Sequence, residues 1–101
     1  MALIPEDEIE RIKRETDLVA VIRSRGVELK PQGGDLIGHC PFHPHPDKHP
    51  SLHVTPRTRL WRCVSCGATG NVIQFVEKFD GVSWRHAFEL LKAALAAGGA
   101  A

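Results

Sequence analysis

Two short knuckles constrain this chain more than anything else in it. Cys40-Pro41-Phe42-His43 and Cys63-Val64-Ser65-Cys66 each place two potential metal ligands three positions apart, with nineteen residues between them. A knuckle of that spacing closes a tight turn and aims two side chains and nearby backbone N–H groups at one point. Two such knuckles supply the four ligands of the tetrahedron that a structural Zn2+ prefers. Gly67 follows the second knuckle directly and offers the positive φ such a turn commonly needs. The three cysteines leave no closed disulfide set. Five of the six histidines (His39, His43, His45, His49 and His53) crowd around the first knuckle.

Spacing favours His43 as the fourth ligand, with His45 its rival in the proline-rich loop. His39 should point the other way from Cys40 by strand alternation, and His49 and His53 are assigned to solvent. A Cys3His set is closed, which argues for one structural Zn2+ rather than a catalytic one with an open position. The C-x2-C could be a redox pair, but it lacks the βαβ setting of a thioredoxin-like site. No paired carboxylates, Ser/His/Asp arrangement or phosphate-cradling glycine loop accompanies it, so no catalytic residue is assigned.

A metal staple also fits the size of the chain. At 101 residues a single small domain buries only about 60–65% of its unfolded surface, and its core is thin. The elements around the knuckles alternate in kind. Pro5 and the acidic Glu6, Asp7 and Glu8 suit a helix start. Thr16-Asp17 offers a second cap, so one kinked helix or two short ones should end at Gly26. From Gly26 to about Cys66 the pattern is β: Val27-Glu28-Leu29, a turn at Gln32-Gly33-Gly34-Asp35, Leu36-Ile37, Ser51 to Thr55, and Leu60 to Cys63. Strands so short and so spaced predict an antiparallel meander. Helical periodicity returns after Asn71, and Ser83 caps a last helix whose Ala87, Phe88, Leu91 and Leu95 form an apolar stripe. The expected fold class is α+β, a zinc-ribbon (Cys3His) antiparallel sheet flanked by N- and C-terminal helices. Residues 3–95 should form the domain, and 96–101 a frayed tail or linker stub.

The net charge of +1 excludes nothing by itself. Its distribution says more: residues 26–66 carry five cations against three acids. Lys30, Arg57, Arg59 and Arg62 form the basic candidate set for nucleic-acid contacts, with Lys48, His53 and Thr55 behind them. Trp61 and Arg62 must lie on opposite faces of one strand, and Trp61 is assigned to the core. No apolar run reaches the roughly 18 residues of a membrane span, and the acidic N-terminus is not a secretory signal. A cytoplasmic location is expected.

The motifs together resemble the N-terminal zinc-binding domain of DnaG-type bacterial DNA primases. The resemblance rests on Cys40-Pro41-Phe42-His43, Pro50-Ser51, Val54-Thr55-Pro56, Trp61-Arg62-Cys63, Cys66-Gly67 and Gly70-Asn71-Val72-Ile73-Gln74-Phe75, and on the opening helices. It spans roughly residues 3–95. The loop between His43 and Pro50 looks about two residues longer than is usual in the family, and Leu52 stands where Phe is common. The resemblance implies a domain that binds single-stranded DNA template and helps select the initiation site for primer synthesis. Its implied partners are a separate catalytic domain and the replicative helicase. The carboxylates that such primases use for nucleotide transfer are absent from this sequence, so this chain alone is not expected to make primers. The rival reading is a stand-alone zinc-ribbon module of a mobile element that binds a protein; RNA or an RNA–DNA hybrid is the other ligand the sequence permits.

Overall fold

The computed structural model describes residues 4–42 and 50–97. Two helices open it, α1 (Glu6–Glu15) and α2 (Leu18–Ser24). They are separate because Thr16 is extended at φ −83°, ψ 130°, while the Asp17 carboxylate accepts the Ala20 N–H at 3.1 Å and caps α2. Five strands follow: β1 (Lys30–Gln32), β2 (Asp35–Gly38), β3 (Leu52–Thr55), β4 (Leu60–Cys63) and β5 (Thr69–Gly70). They pair in chain order, each antiparallel to the next. Two helices close the domain, α3 (Val72–Asp80) and α4 (Trp84–Ala96). Asn71 and Gln74 form a reciprocal capping box on α3, and Ser83 caps α4. The result is the expected α+β meander between helices.

Two strand expectations need correcting. Val27 and Leu29 are buried and Glu28 is exposed, as alternation predicted, but the ladder begins only at Lys30. The Val27–Leu29 segment instead packs over Gly38, where a β-carbon would run into the Glu28 carbonyl oxygen. Strand β5 was not foreseen. It is two residues long, and two residues carry no period to read.

The register sorts the sheet into two faces. Leu52, Val54, Trp61 and Cys63 point inward and are at most 2% exposed. They join Val21 and Ile22 of α2, Val72, Ile73, Phe75 and Val76 of α3, and Ala87, Phe88 and Leu91 of α4 in one core. The aromatic centre is tight: Trp61 meets Phe75 edge-on at 5.4 Å, and Phe42 lies 5.2 Å from both rings. The Trp61 indole N–H donates to the Asn71 carbonyl at 2.7 Å, tying β4 to the start of α3.

Polar ties hold the helices in place. The Arg25 guanidinium makes two bonds to the Asp80 carboxylate, at 3.2 and 3.0 Å, joining the ends of α2 and α3 in a planar fork. Lys92 pairs with Glu8 between α4 and α1. Thr16 is an exception to this economy. It is 6% exposed, and among the described residues its hydroxyl is the buried side-chain polar atom with no partner. A buried hydroxyl without a partner costs about 1–3 kcal/mol. Thr16→Val keeps the shape and removes that cost, so it should stabilise the domain by about 1 kcal/mol in thermal or denaturant unfolding. A clear loss of stability would show that the hydroxyl has a structural task.

Candidate metal centre

Each cysteine stands at the end of a strand or in the turn beyond it. β2 delivers Cys40 two residues after Gly38, β4 ends on Cys63, and the turn after β4 carries Cys66. That turn is set by backbone bonds. The Gly67 N–H reaches the Cys63 carbonyl at 2.9 Å with Gly67 at φ +79°, and the Cys63 N–H reaches the Ala68 carbonyl at 2.7 Å. Ser51 anchors the first residues of the knuckle, its carbonyl accepting the Val64 N–H at 3.0 Å.

These constraints converge the three thiols. Their sulfur atoms all lie within 4.8 Å of one another, and Cys40 Sγ is 3.9 Å from Cys66 Sγ. A tetrahedral zinc with Zn–S bonds of about 2.3 Å sets its sulfurs about 3.8 Å apart. Cys40 and Cys63 are buried and Cys66 is exposed, so the site opens to one side of the domain.

The surroundings suit thiolates. The Phe42 N–H points at Cys40 Sγ and the Cys66 N–H at Cys63 Sγ, both at 3.4 Å. Burial pushes the Cys40 thiol up to about 12, reinforced by the neighbouring sulfurs and offset in part by the Phe42 N–H. Burial also raises Cys63, but the Ser51 hydroxyl at 3.5 Å and the N–H groups of Cys66 and Ser65 outweigh it and bring that thiol down to about 6. One thiolate forms readily at Cys63, and Cys40 resists ionising beside it. A divalent cation removes that conflict by stabilising all three anions at once. The trio fits a structural zinc ion on geometry and on chemistry.

The fourth ligand expected from the sequence, His43, lies outside the described residues, as do its rival His45, His49 and Lys48. His39 is exposed while Cys40 is buried, in line with strand alternation. The other basic candidates fall into two groups. Lys30, Ile37, His53, Arg62 and Thr69 are directly paired across the five strands and form one row on the outer face of the sheet. Arg57 and Arg59 stand instead in the turn from β3 to β4. Sequence reasoning did not foresee Ser51 beside Cys63 or Phe42 beneath the first knuckle. Phe42 also carries the Lys78 ammonium 5.4 Å from its ring centre.

Three thiols gathered from two knuckles at the ends of an antiparallel meander define a zinc ribbon. The family model described as the CHC2 zinc finger, the zinc ribbon of DnaG, matches residues 4–98. The DNA primase of Halalkalibacterium halodurans is 42% identical over 88 residues, which cover 87% of this chain and 14% of that protein. The DNA primase of Thermotoga maritima is 39% identical over 89 residues, covering 88% and 15%. The crystal structure of the zinc-binding and RNA polymerase domains of Aquifex aeolicus primase matches 83% of this chain and 20% of that one, with a TM-score of 0.75 and 36% identity. The chain belongs to the CHC2 zinc-finger family, the zinc-binding domain of DnaG-type DNA primases. It spans about a seventh of the length of these primase relatives. No helix among the described residues is long and apolar enough to cross a membrane.

Proposed function

We propose that this domain binds single-stranded DNA template on the outer face of its sheet and helps select the site where a primer begins. Zinc on Cys40, Cys63, Cys66 and His43 fixes the strands that carry that face. Residues 3–95 act as this unit, with 96–101 leading out of it. A polymerase domain performs nucleotide transfer, since the carboxylates that chemistry requires are not in this sequence. That domain, the template and the replicative helicase are the partners this reading names, in the cytoplasm.

The row Lys30, Ile37, His53, Arg62 and Thr69 carries the reading. It offers cations at Lys30 and Arg62 for phosphates, and flat or apolar groups at His53 and Ile37 for bases, across a pleated surface as wide as the sheet. Such a surface tracks a flexible single strand and has no shape to match a duplex groove. Trp61 supports the reading by its absence from that face, since packing against Phe75 leaves base stacking to His53 and the Arg62 guanidinium.

Titrating the zinc-loaded chain against fluorescent single-stranded and duplex DNA at two salt concentrations tests it. Single strands should bind more tightly, and higher salt should weaken them. The double variant Lys30→Ala/Arg62→Ala should lose about tenfold in affinity and lower the salt slope by about 1.4, or 0.7 per phosphate contact. Equal binding by parent and variant would overturn the assignment of the face and favour a protein-docking role for the ribbon.

A further inference from the structure

Arg59, the last residue of the turn between β3 and β4, has left-handed backbone at φ +58°. It is the one non-glycine residue so placed among those described. Its N–H closes the turn on the Thr55 carbonyl at 2.9 Å. A side chain in that conformation is strained, and glycine would avoid the strain. Strain of this kind collects where a side chain is needed for function.

The Arg59 side chain has a definite setting. It lines two neighbouring clefts, of about 280 and 260 Å3, between the β3–β4 turn and the end of α1, and Arg14 lines both with it. Lys13 joins them in the first, where three cations face the single carboxylate of Glu10. Glu10 is already engaged by Lys13 at 2.9 Å, and Arg14 lies 3.7 Å from Glu15. Among the described residues Arg59 has no acidic partner. Leu60 lines the same cleft, is 49% exposed, and shares the outer face of the sheet with Arg62 two residues along β4. The row of the sheet and the mouth of the cleft are therefore about 7 Å apart along one strand, of the order of one extended nucleotide.

We propose that this cleft is a second phosphate-binding station on the single-strand path, at which Lys13, Arg14 and Arg59 hold the backbone of nucleotides that leave the sheet beyond Leu60. The inference rests on the single-strand reading above. The station adds affinity and salt dependence but no base preference, because it addresses phosphates alone.

The test compares a short oligothymidylate of about 4 nucleotides, which the sheet can fill, with one of about 12 that must run past it. Lys13→Ala/Arg14→Ala should weaken the longer strand about tenfold and lower its salt slope by about 1.4, while leaving the shorter unchanged. Arg59→Gly should weaken the longer strand while melting at or above the temperature of the parent, since it removes the charge and the strain together. Arg14 and Arg59 are exposed and Lys13 is half-buried, and zinc stoichiometry and circular dichroism verify the fold of both variants. Parent-like binding of the longer strand by these variants, with Lys30→Ala/Arg62→Ala weakened at both lengths, overturns the second station and leaves the sheet reading intact. Equal losses at both lengths in the cleft variants also overturn it. A parent chain that binds neither strand overturns the sheet reading and this inference with it.

Discussion

Changing Cys66 to serine is expected to abolish zinc binding and unfold the sheet, although Cys66 is exposed and contributes nothing to the core. Structural zinc in small domains contributes about 10–16 kcal/mol of apparent binding free energy at neutral pH. The whole stability of a domain of this size is about 5–15 kcal/mol. The metal term therefore decides whether the meander persists, because it ties Cys40, just beyond β2, to the second knuckle after β4, two segments that the ladders join only through β3. Cys63→Ser should do the same, but Cys63 is 2% exposed, so its variant also alters the core. The exposed position isolates the metal. A Cys66→Ser protein with undiminished far-ultraviolet circular dichroism and a cooperative melt would overturn the structural role. Acid should act in the same direction as the mutation. Cys40 without metal rises to about 12, so zinc must displace protons to bind, and affinity falls as the pH falls. Cys63 is shifted the other way from Cys40 in the metal-free chain, yet acid acts on it in the same direction. Its thiol is lowered to about 6 from an ordinary value of 9.0. The stability this shift contributes is present above 9 and is lost as the pH drops through 6. Zinc release followed with a chromogenic chelator should increase steadily from neutral pH downwards.

The parts of this domain that the sequence made legible are those whose geometry is covalent or strictly periodic. Knuckle spacing is covalent, so Cys40, Cys63 and Cys66 could be assigned to one site before any fold was known, and they meet within 4.8 Å. Strand alternation is periodic, so Trp61 and Arg62 were placed on opposite faces, and they are buried and exposed respectively. Caps are local chemistry, and Asp17 and Ser83 each accept the expected backbone N–H. What escaped depends on partners distant in the chain. Val27-Glu28-Leu29 alternates like a strand, yet its backbone is taken up by the approach to Gly38 instead of a ladder. Thr69-Gly70 becomes a strand only because β4 has an edge left to pair. Pro56-Arg57-Thr58-Arg59 reads as a turn, but the left-handed backbone of Arg59 within it carries no signal, for arginine has no preference for that conformation. Its meeting with Lys13 and Arg14, more than forty residues earlier, follows from how α1 packs.

Trp61 joins the metal site to the core, and its replacement is the second substitution expected to have a large effect. The indole is 2% exposed and touches Phe42 of the first knuckle on one side and Phe75 of α3 on the other. Trp61→Ala removes the largest side chain of the core and leaves a cavity between knuckle and helix, a change that costs about 3–5 kcal/mol. It also leaves the Asn71 carbonyl without its indole donor at the start of α3. Such a loss is a large part of the stability of a small domain, so the variant should melt far below the parent even when saturated with zinc. Trp61→Phe separates the two contributions. It keeps an aromatic ring against Phe42 and Phe75 but loses the N–H, and should cost less than Trp61→Ala, about 1–3 kcal/mol. Because the ring faces away from the row that carries Arg62, a folded Trp61→Phe chain should bind single strands as the parent does. If it instead lost binding while keeping its fold and zinc, the indole would be part of the nucleic-acid surface, and the division of the sheet into a packed inner face and a binding outer face would have to be abandoned.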